Sequence, residues 1–307
     1  MAKRAGLKLW NGAAETGDIK VEPDPNEAYV LGVDEAGRGP VLGAMIYGIA
    51  WCPVSKKPDL EKLGFMDSKQ LTDAKRDKLL DVMDATDYLH YGVDVLEPDV
   101  ISAWMLQKER YNLNAMSHDS TIGLIRSIQN KGFNLTEAFI DTVGVAFRYE
   151  AKLSSLFPGI KFTVTSKADD LFKIVSAASI AAKVTRDRRI AAWDFKPGEL
   201  KTEEGKEMGS GYPGDPKTKE WLAENVDEFW GPPDICRYSW APAKKLMEAD
   251  CVEVDYGIPD DDEEDAFEAR KATGGGIAQF FGGSSVGVKR QRTSYFGGRN
   301  MQPCLAF

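Results

Sequence analysis

The chain has 307 residues, of which 43% are hydrophobic, and a formal net charge of -9 at pH 7. This length is sufficient for one large domain with appendages, and no apolar run approaches the roughly eighteen residues of a membrane span, which excludes an integral membrane protein. The N-terminus carries basic residues without an apolar stretch after them, so we expect no secretory signal and a reducing compartment.

The acidity of the chain is local. Residues 253–268 contain nine acids and no base, so the remainder is neutral and the net charge neither supports nor excludes a nucleic-acid partner. The four cysteines are far apart and include no C-x-x-C pair, which argues against a disulfide framework and a structural zinc site.

The first part of the chain alternates between a polar segment and apolar runs. Residues 1–27 are polar and mixed, and we expect them to be flexible. Apolar runs at 29–34, 44–51 and 88–96 predict three strands joined by hairpin-like links, with a helix over 72–85 between the second and the third.

Further elements complete a predicted catalytic domain over 28–195. A helix is predicted over 114–130, then a strand ending on Asp141, a strand ending near Asp169, and a helix over 171–193. This order predicts an α/β fold in which a mixed central sheet is flanked by helices.

Two segments follow the catalytic domain. Residues 196–250 are rich in loops, with a helix-like stretch at 219–230, and we expect a loop and helical extension. Residues 251–307 are acidic and rich in glycine, which is typical of a disordered tail.

Acidic side chains stand at three predicted strand ends: Asp34 with Glu35, Asp141, and Asp169. Neighbouring strands lie about 5 Å apart, so these carboxylates can converge on one or two ions. Hard divalent cations, Mg²⁺ above all, compensate such repulsion and act on phosphates. Taken singly, Asp169 has the alternative of capping the next helix, and Asp141 that of closing a turn with Thr142. The set as a whole favours a metal-dependent catalytic site.

A glycine loop follows the first pair of acids. Residues 37–43 read GRGPVLG, which lacks the G-K-[ST] of a Walker loop and the spacing of a dinucleotide fingerprint. Its glycines allow the backbone to approach a ligand closely, and Arg38 can meet a phosphate. The two histidines, His90 and His118, lie in a strand and a helix pattern, so we interpret both as structural and disfavour a histidine-driven mechanism.

Seven motifs occur in one order along the chain. They are GVDEAGRGPVLG at 32–43, DSK at 67–69, YNLN at 111–114, IDTVG at 140–144, SKAD at 166–169, VSAASIAAKVTRD at 175–187 and GSGYPGDPKT at 209–218. With these motifs the chain resembles the type 2 ribonuclease H family from about residue 29 to 247, and the catalytic A subunits of the eukaryotic enzymes in particular.

The resemblance implies a ribonuclease H-like fold and an endoribonuclease. Its substrates would be the RNA strand of RNA/DNA hybrids and single ribonucleotides embedded in duplex DNA. The family's four catalytic acids fall on Asp34, Glu35, Asp141 and Asp169. Two Mg²⁺ ions, for which Mn²⁺ can substitute, would activate a water and stabilise the leaving oxygen, giving 5′-phosphate and 3′-hydroxyl ends.

The resemblance also implies substrate contacts. Gly37, Arg38 and Gly39 match the family's reader of the 2′-hydroxyl, and Tyr212 matches the tyrosine that packs against the same ribose. Lys69 matches a lysine near the scissile phosphate.

Other basic and amide side chains are further candidates. Lys183 and Arg186 lie at the basic end of the long helix, where phosphate contact and a solvated helix face are both open. Asn112 and Asn114 are expected to bind the nucleic-acid backbone. Departures from the family pattern concentrate in the loop at 196–208, which leaves the chemistry intact.

In this family the eukaryotic catalytic chain works in a heterotrimer with two smaller non-catalytic subunits, so the resemblance implies such partners. It also implies that the protein is located in the nucleus, with the cytoplasm as a second location. A catalytically dead nucleic-acid-binding module and a recombinase or resolvase on the same fold are the alternatives. The presence of all four acids argues against the first, and the ribose-reading motifs argue against the second.

The tail contains two incomplete matches to a sliding-clamp-binding box. IAQFF contributes Ile277, Phe280 and Phe281, and TSYF lies at 293–296, but neither has the glutamine of such a box. Aromatic residues of a low-complexity tail are the alternative interpretation. We expect the first segment to recruit a replication sliding clamp, because adjacent aromatics are costly to leave exposed without a partner.

Overall fold

The computed structural model describes residues 15–16, 23–65, 71–107, 111–196, 198–200 and 207–253. Lys69, most of the predicted N-terminal segment, and the tail from residue 254 onward with Ile277, Phe280 and Phe281 lie outside these described residues. Among the described helices, none is both long and apolar enough to cross a membrane.

Six strands form one sheet. In chain order they are β1 Glu15–Thr16, β2 Tyr29–Ala36, β3 Met45–Pro53, β4 His90–Leu96, β5 Leu135–Asp141 and β6 Lys161–Thr165. Their order across the sheet is β1-β4-β3-β2-β5-β6. The first four in this order pair antiparallel, whereas β5 runs parallel to β2 and β6 parallel to β5. The predicted mixed sheet is confirmed.

Helices cover both faces of the sheet. They are α1 Lys57–Lys62, α2 Asp73–Ala85, α3 Pro98–Leu106, α4 Leu113–Asn130, α5 Ala146–Leu156, α6 Ala168–Leu171, α7 Lys173–Ala191, α8 Pro216–Asn225 and α9 Ala241–Asp250. The sequence analysis locates no helix at α1, α3, α5, α6 or α9, and it starts α8 three residues late. Four of these helices, α1, α3, α8 and α9, have a proline at their first or second position, which resembles a turn signal but is compatible with a first helical turn.

One strand prediction is wrong at its end. The strand predicted to end near Asp169 ends at Thr165, and Asp169 lies in the short helix α6. Lys167 takes a left-handed conformation between the two elements, with φ of 57°. The chain therefore turns sharply after β6, and the sequence pattern did not reveal this turn.

The helix α7 lies directly on the sheet at two glycines. A Cβ on Gly32 of β2 would come within 2.4 Å of the Ile174 carbonyl oxygen, and one on Gly48 of β3 within 2.3 Å of the Ala178 carbonyl oxygen. Neither distance is sterically possible, so both positions require glycine. The opposite face of the sheet packs against α4 and α5.

The C-terminal extension packs against the glycine loop. Trp221 and Leu222 of α8 and Ala243 of α9 form a small core with Val41 and Leu42. The extension therefore covers one side of the segment that follows the acids of β2.

Candidate active site

Three carboxylates converge at one edge of the sheet. Val33 of β2 pairs with Ile140 of the parallel strand β5, so Asp34 and Asp141 are neighbours at the next position. Asp34, Glu35 and Asp141 each offer a carboxylate oxygen, and these oxygens lie within 4.8 Å of one another. This spacing is suitable for binding a divalent cation.

Asp169 reaches the same place from a helix. Its side chain is 2% exposed and lines the same cleft as the other three acids. It does not cap a helix, because the N-cap positions of α6 and α7 are Lys167 and Phe172. Asp141 accepts a hydrogen bond from the Ala168 amide at 2.9 Å, which links β5 to α6.

The two adjacent acids of β2 leave the strand on opposite faces of the sheet, as successive strand residues do, but their carboxylates approach each other at the end of the strand. Asp34 lies on the face covered by α7, where it interacts with Ser179 and Lys183. Glu35 lies on the face covered by α4 and α5, and Arg38 is the basic group that interacts with it most strongly.

Burial and mutual repulsion disfavour the charged forms of both acids. Burial raises the pKa of Asp34 to about 7, against the effects of Ser179 and Lys183. Burial, and then the Asp34 charge, raise the pKa of Glu35 to about 8. One oxygen of Glu35, Oε2, is buried without a hydrogen-bond partner among the described residues. Clustered oxygen donors with a deficit of positive charge fit a divalent metal ion.

The cleft has a volume of about 360 Å³. It contains the four acids, Gly37, Arg38, Gly39, Lys183, Arg186 and Tyr212. The structure therefore brings together most of the residues predicted from the sequence, while Lys69 lies outside the described residues.

The glycine loop is shaped by close contacts. Gly37 has φ of 79°, and a Cβ there would lie 2.6 Å from Arg186 Nε and 2.7 Å from the Ala44 carbonyl oxygen. A Cβ on Gly39 would lie 3.1 Å from the ring of Tyr212. Tyr212 is 51% exposed, so its ring covers the loop and keeps an open side towards solvent.

Arg38 is held by the first turns of α4. Its Nη1 donates to Ser117 Oγ at 2.7 Å, and its Nη2 donates to Asn114 Oδ1. Asn112 caps the same helix by accepting from the Ala115 amide at 3.0 Å. Asn114 therefore orients Arg38, whereas the side-chain oxygen of Asn112 caps the helix.

The basic side chains at the end of α7 lie partly in the cleft and partly in solvent. Lys183 Nζ donates to Ser179 Oγ at 2.9 Å. The Arg186 side chain is 14% exposed and its Nη1 lies 3.5 Å from Asp187 Oδ1, but its Nε and Nη2 have no hydrogen-bond partner among the described residues. The Arg188 side chain is 60% exposed, as expected if this part of α7 is a solvated helix face.

Both histidines stack on buried aromatic rings. His90 is buried in β4 and stacks on Trp51, with 5.4 Å between ring centroids. His118 of α4 stacks on Tyr149 at 3.9 Å. Neither lines the cleft, which leaves the carboxylates as its principal titratable groups.

Sequence reasoning missed Arg237. This arginine is fully buried, and its guanidinium donates to the carbonyl oxygens of Gly43, Arg38 and Gly37 at 2.8, 3.2 and 2.6 Å. Trp240 Nε1 donates to the Gly39 carbonyl oxygen at 3.1 Å, and the Arg237 guanidinium lies 4.8 Å from the Trp240 ring. Two residues of the C-terminal extension thus fix four carbonyls of the glycine loop, and no local pattern in the sequence indicates it.

Comparison with known proteins gives consistent matches. The family model for ribonuclease HII matches residues 31–243. The A subunit of ribonuclease H2 from Homo sapiens is 48% identical over 230 residues, which cover 74% of this chain and 76% of that protein. The corresponding protein of Dictyostelium discoideum is 44% identical over 243 residues, covering 78% of this chain and 84% of that protein.

Solved structures agree with the sequence relatives. Ribonuclease H2 from Pyrococcus horikoshii OT3 has a TM-score of 0.60 and 34% identity, covering 72% of this chain and 97% of that one. A chain of the PCNA:RNase HII complex from Archaeoglobus fulgidus has a TM-score of 0.53 and 28% identity, covering 64% and 85%. This chain therefore belongs to the ribonuclease HII family, a family of metal-dependent hydrolases that act as nucleases on RNA/DNA hybrids.

Proposed function

We propose that this chain is the catalytic component of an endoribonuclease that cuts the RNA strand of hybrids and single ribonucleotides embedded in duplex DNA. The observation that supports it best is that Asp34, Glu35 and Asp141 converge in the same cleft as the loop 37–39 and Tyr212. The acids would bind the metal ions that promote hydrolysis, and the loop together with Tyr212 would bind the ribose of one ribonucleotide.

Asp34, Glu35, Asp141 and Asp169 would hold two Mg²⁺ ions, with Mn²⁺ able to substitute. When bound, such ions lower the pKa of a coordinated water and stabilise charge on the leaving oxygen. Three of the acids lie on strands, so the sheet fixes their backbone positions before any ligand arrives. Arg38, Lys183 and Arg186 offer positive charge to the phosphates.

A direct test uses the chain together with its partner subunits, Mg²⁺ and a DNA duplex that carries one ribonucleotide. We expect one cut beside the ribonucleotide, with 5′-phosphate and 3′-hydroxyl ends, and no cut in an all-DNA duplex of the same sequence. Cleavage of the all-DNA duplex at the same rate would contradict the proposal and favour the resolvase alternative.

Replacing Tyr212 with alanine should impair selection of the ribose more than affinity for the duplex. Stacking on an aromatic ring contributes about 1–3 kcal/mol, so we expect cleavage at a single ribonucleotide to fall about 10- to 100-fold. Affinity should change little, because it comes largely from phosphate contacts. Single-turnover rates and fluorescence anisotropy measure the two effects.

The matched control is Tyr212→Phe, which keeps the ring over Gly39 and should retain most of the activity. Equal losses of binding and cleavage in the alanine variant would mean that Tyr212 has only a structural role.

The eukaryotic relatives are named as one component of a larger enzyme, and we propose that this chain likewise assembles with two smaller non-catalytic subunits, in the nucleus. Copurification of the tagged chain with two stoichiometric partners, and imaging of the tagged chain in cells, would test the assembly and the location separately.

We further propose that the tail recruits a sliding clamp, an idea supported by the family relative solved in complex with PCNA. Deleting residues 254–307 should leave cleavage of short duplexes unchanged and weaken clamp binding. We place the deletion after Glu253, because the Val252 amide donates to the Glu228 carbonyl oxygen at 2.8 Å.

The tail prediction has a matched pair of variants. Phe280→Ala with Phe281→Ala should reproduce the loss of clamp binding, whereas Tyr295→Ala with Phe296→Ala should have the smaller effect. Clamp binding measured by calorimetry that is unchanged in the first pair would reject the assignment of residues 277–281.

A further inference from the structure

Four hydroxyl groups are buried between the sheet and the helices α4 and α5. They belong to Tyr47, Ser117, Thr121 and Tyr149, each at most 1% exposed, and we name them the hydroxyl cluster. The sequence motifs assign no role to Tyr47, Thr121 or Tyr149. Because a phenylalanine would fill the space of either tyrosine, the hydroxyls need an explanation of their own.

Tyr47 stands directly beside Glu35. The register of the antiparallel strands pairs Glu35 of β2 with Tyr47 of β3. Directly opposed residues of an antiparallel pair lie on the same face, with about 5 Å between their Cβ atoms. Burial raises the pKa of the Tyr47 hydroxyl, and the charge of Glu35 raises it further. The two polar ends therefore share one environment.

Several polar atoms in this environment lack direct partners. Glu35 Oε2, Tyr47 Oη, Thr121 Oγ1 and Tyr149 Oη are all buried and form no hydrogen bond of ordinary geometry among the described residues, although Tyr47 interacts with Ser117 and Tyr149 with Thr121. Ser117 Oγ already donates to the Leu113 carbonyl oxygen at 2.7 Å. Buried polar groups without a direct partner are generally hydrogen-bonded to ordered water, since leaving them unpaired is costly.

The other acid of β2 has a corresponding set of partners on its own face. Asp34 interacts with Ser179 and Lys183, both on α7. Of these groups only Lys183 also acts on Glu35, where its effect is smaller than that of Arg38, and Ser179 is a partner of Asp34 alone. The hydroxyl cluster is the polar environment that α4, α5 and β3 provide for Glu35.

We infer that Tyr47 is a positioning residue for Glu35. Its hydroxyl donates to an ordered water, which in turn donates to Glu35 Oε2, and this leaves the other carboxylate oxygen directed towards a divalent metal ion. Tyr149 acts on the same carboxylate from α5 with a smaller effect. The inference rests on the proposed role of Glu35 as a metal ligand. It assigns neither tyrosine to contact with the metal or the substrate.

The test measures metal binding without substrate. Mn²⁺ is titrated by calorimetry into the wild type and into Tyr47→Phe, Tyr149→Phe and Tyr29→Phe. Tyr29 is the matched control, since it is a buried tyrosine of the same sheet, 3% exposed, six residues from Glu35 along β2. Losing a hydrogen-bond partner of a metal ligand typically costs 10- to 100-fold in affinity, so we expect about tenfold weaker Mn²⁺ binding in Tyr47→Phe and no weakening in Tyr29→Phe.

The outcomes separate the inference from the proposed site. Wild-type Mn²⁺ affinity in Tyr47→Phe would overturn the inference alone, whatever the result for Tyr149→Phe. Unchanged Mn²⁺ binding by Glu35→Gln and Asp141→Asn would instead reject the metal site itself. Thermal unfolding in EDTA checks that each phenylalanine variant is folded, and a general packing defect would show as equal losses in Tyr47→Phe and Tyr29→Phe, which also overturns the inference.

Discussion

The Asp34→Asn variant is expected to lose at least about a thousandfold in cleavage rate while it binds a hybrid duplex nearly as tightly as the wild type. The substitution removes a carboxylate from the group that spans 4.8 Å, and it leaves Arg38, Lys183 and Arg186 in place for the phosphates. Single-turnover cleavage in Mg²⁺ and anisotropy in Ca²⁺ measure the two properties.

The same variant should be more stable than the wild type when no metal is present. The pKa of Asp34 is raised from 3.8 to about 7, so between these values the folded state retains a proton that the unfolded chain has lost. Stability therefore falls as the pH rises through this range. We expect Asp34→Asn to add about 1–3 kcal/mol to the free energy of unfolding at pH 8, and to match the wild type near pH 4.

Asp170→Asn is the matched control, because Asp170 is an exposed carboxylate next to Asp169 in α6. It should change neither activity nor stability appreciably. Substantial cleavage by Asp34→Asn at saturating Mg²⁺ would remove Asp34 from the metal site, and identical melting of variant and wild type at pH 8 would contradict the cost of keeping the buried Asp34 carboxylate charged.

The second large effect concerns Arg237. A lysine at this position carries the charge but not the planar fork that donates to Gly37, Arg38 and Gly43 at once. At least one buried carbonyl then loses its donor, at a cost of about 1–3 kcal/mol. We expect Arg237→Lys to fold and to lose about 10- to 100-fold in cleavage at a single ribonucleotide.

Metal binding distinguishes the role of Arg237 from a general defect. Mn²⁺ affinity should stay close to that of the wild type, because the acids are held by strands and α6 rather than by the extension. Arg188→Lys, at the exposed end of α7, is the control and should be unaffected. A parallel loss of metal affinity in Arg237→Lys would show that Arg237 supports the whole site.

The acids and the glycine loop could be predicted because their signals are local. Asp34 and Glu35 close an apolar run and precede three glycines, a pattern contained in fourteen residues. Their meeting with Asp141 needs only the parallel pairing of β2 with β5. The place of Asp169 was predicted less well, since a left-handed Lys167 gives no reliable signal in the sequence.

Contacts between distant parts of the chain could not be predicted in this way. Arg237 is one arginine in a loop-rich segment, and nothing near it indicates that its partner is Gly37. Tyr47 has the pattern of a core aromatic, and only the strand register places it beside Glu35. The same holds for the two glycines under α7, whose role depends on how closely a helix approaches.

The hydrogen bond from Arg237 to Gly37 joins residues 200 positions apart, which has a consequence for biosynthesis. The N-terminal part of a chain emerges from the ribosome first and can begin to fold before the rest is made. The sheet and all four acids are complete in sequence once α7 has been synthesised. The loop that lies over the ribose gains its buried arginine only later. A nascent chain can thus assemble the metal-binding acids before the loop that selects the ribose is held in place by Arg237.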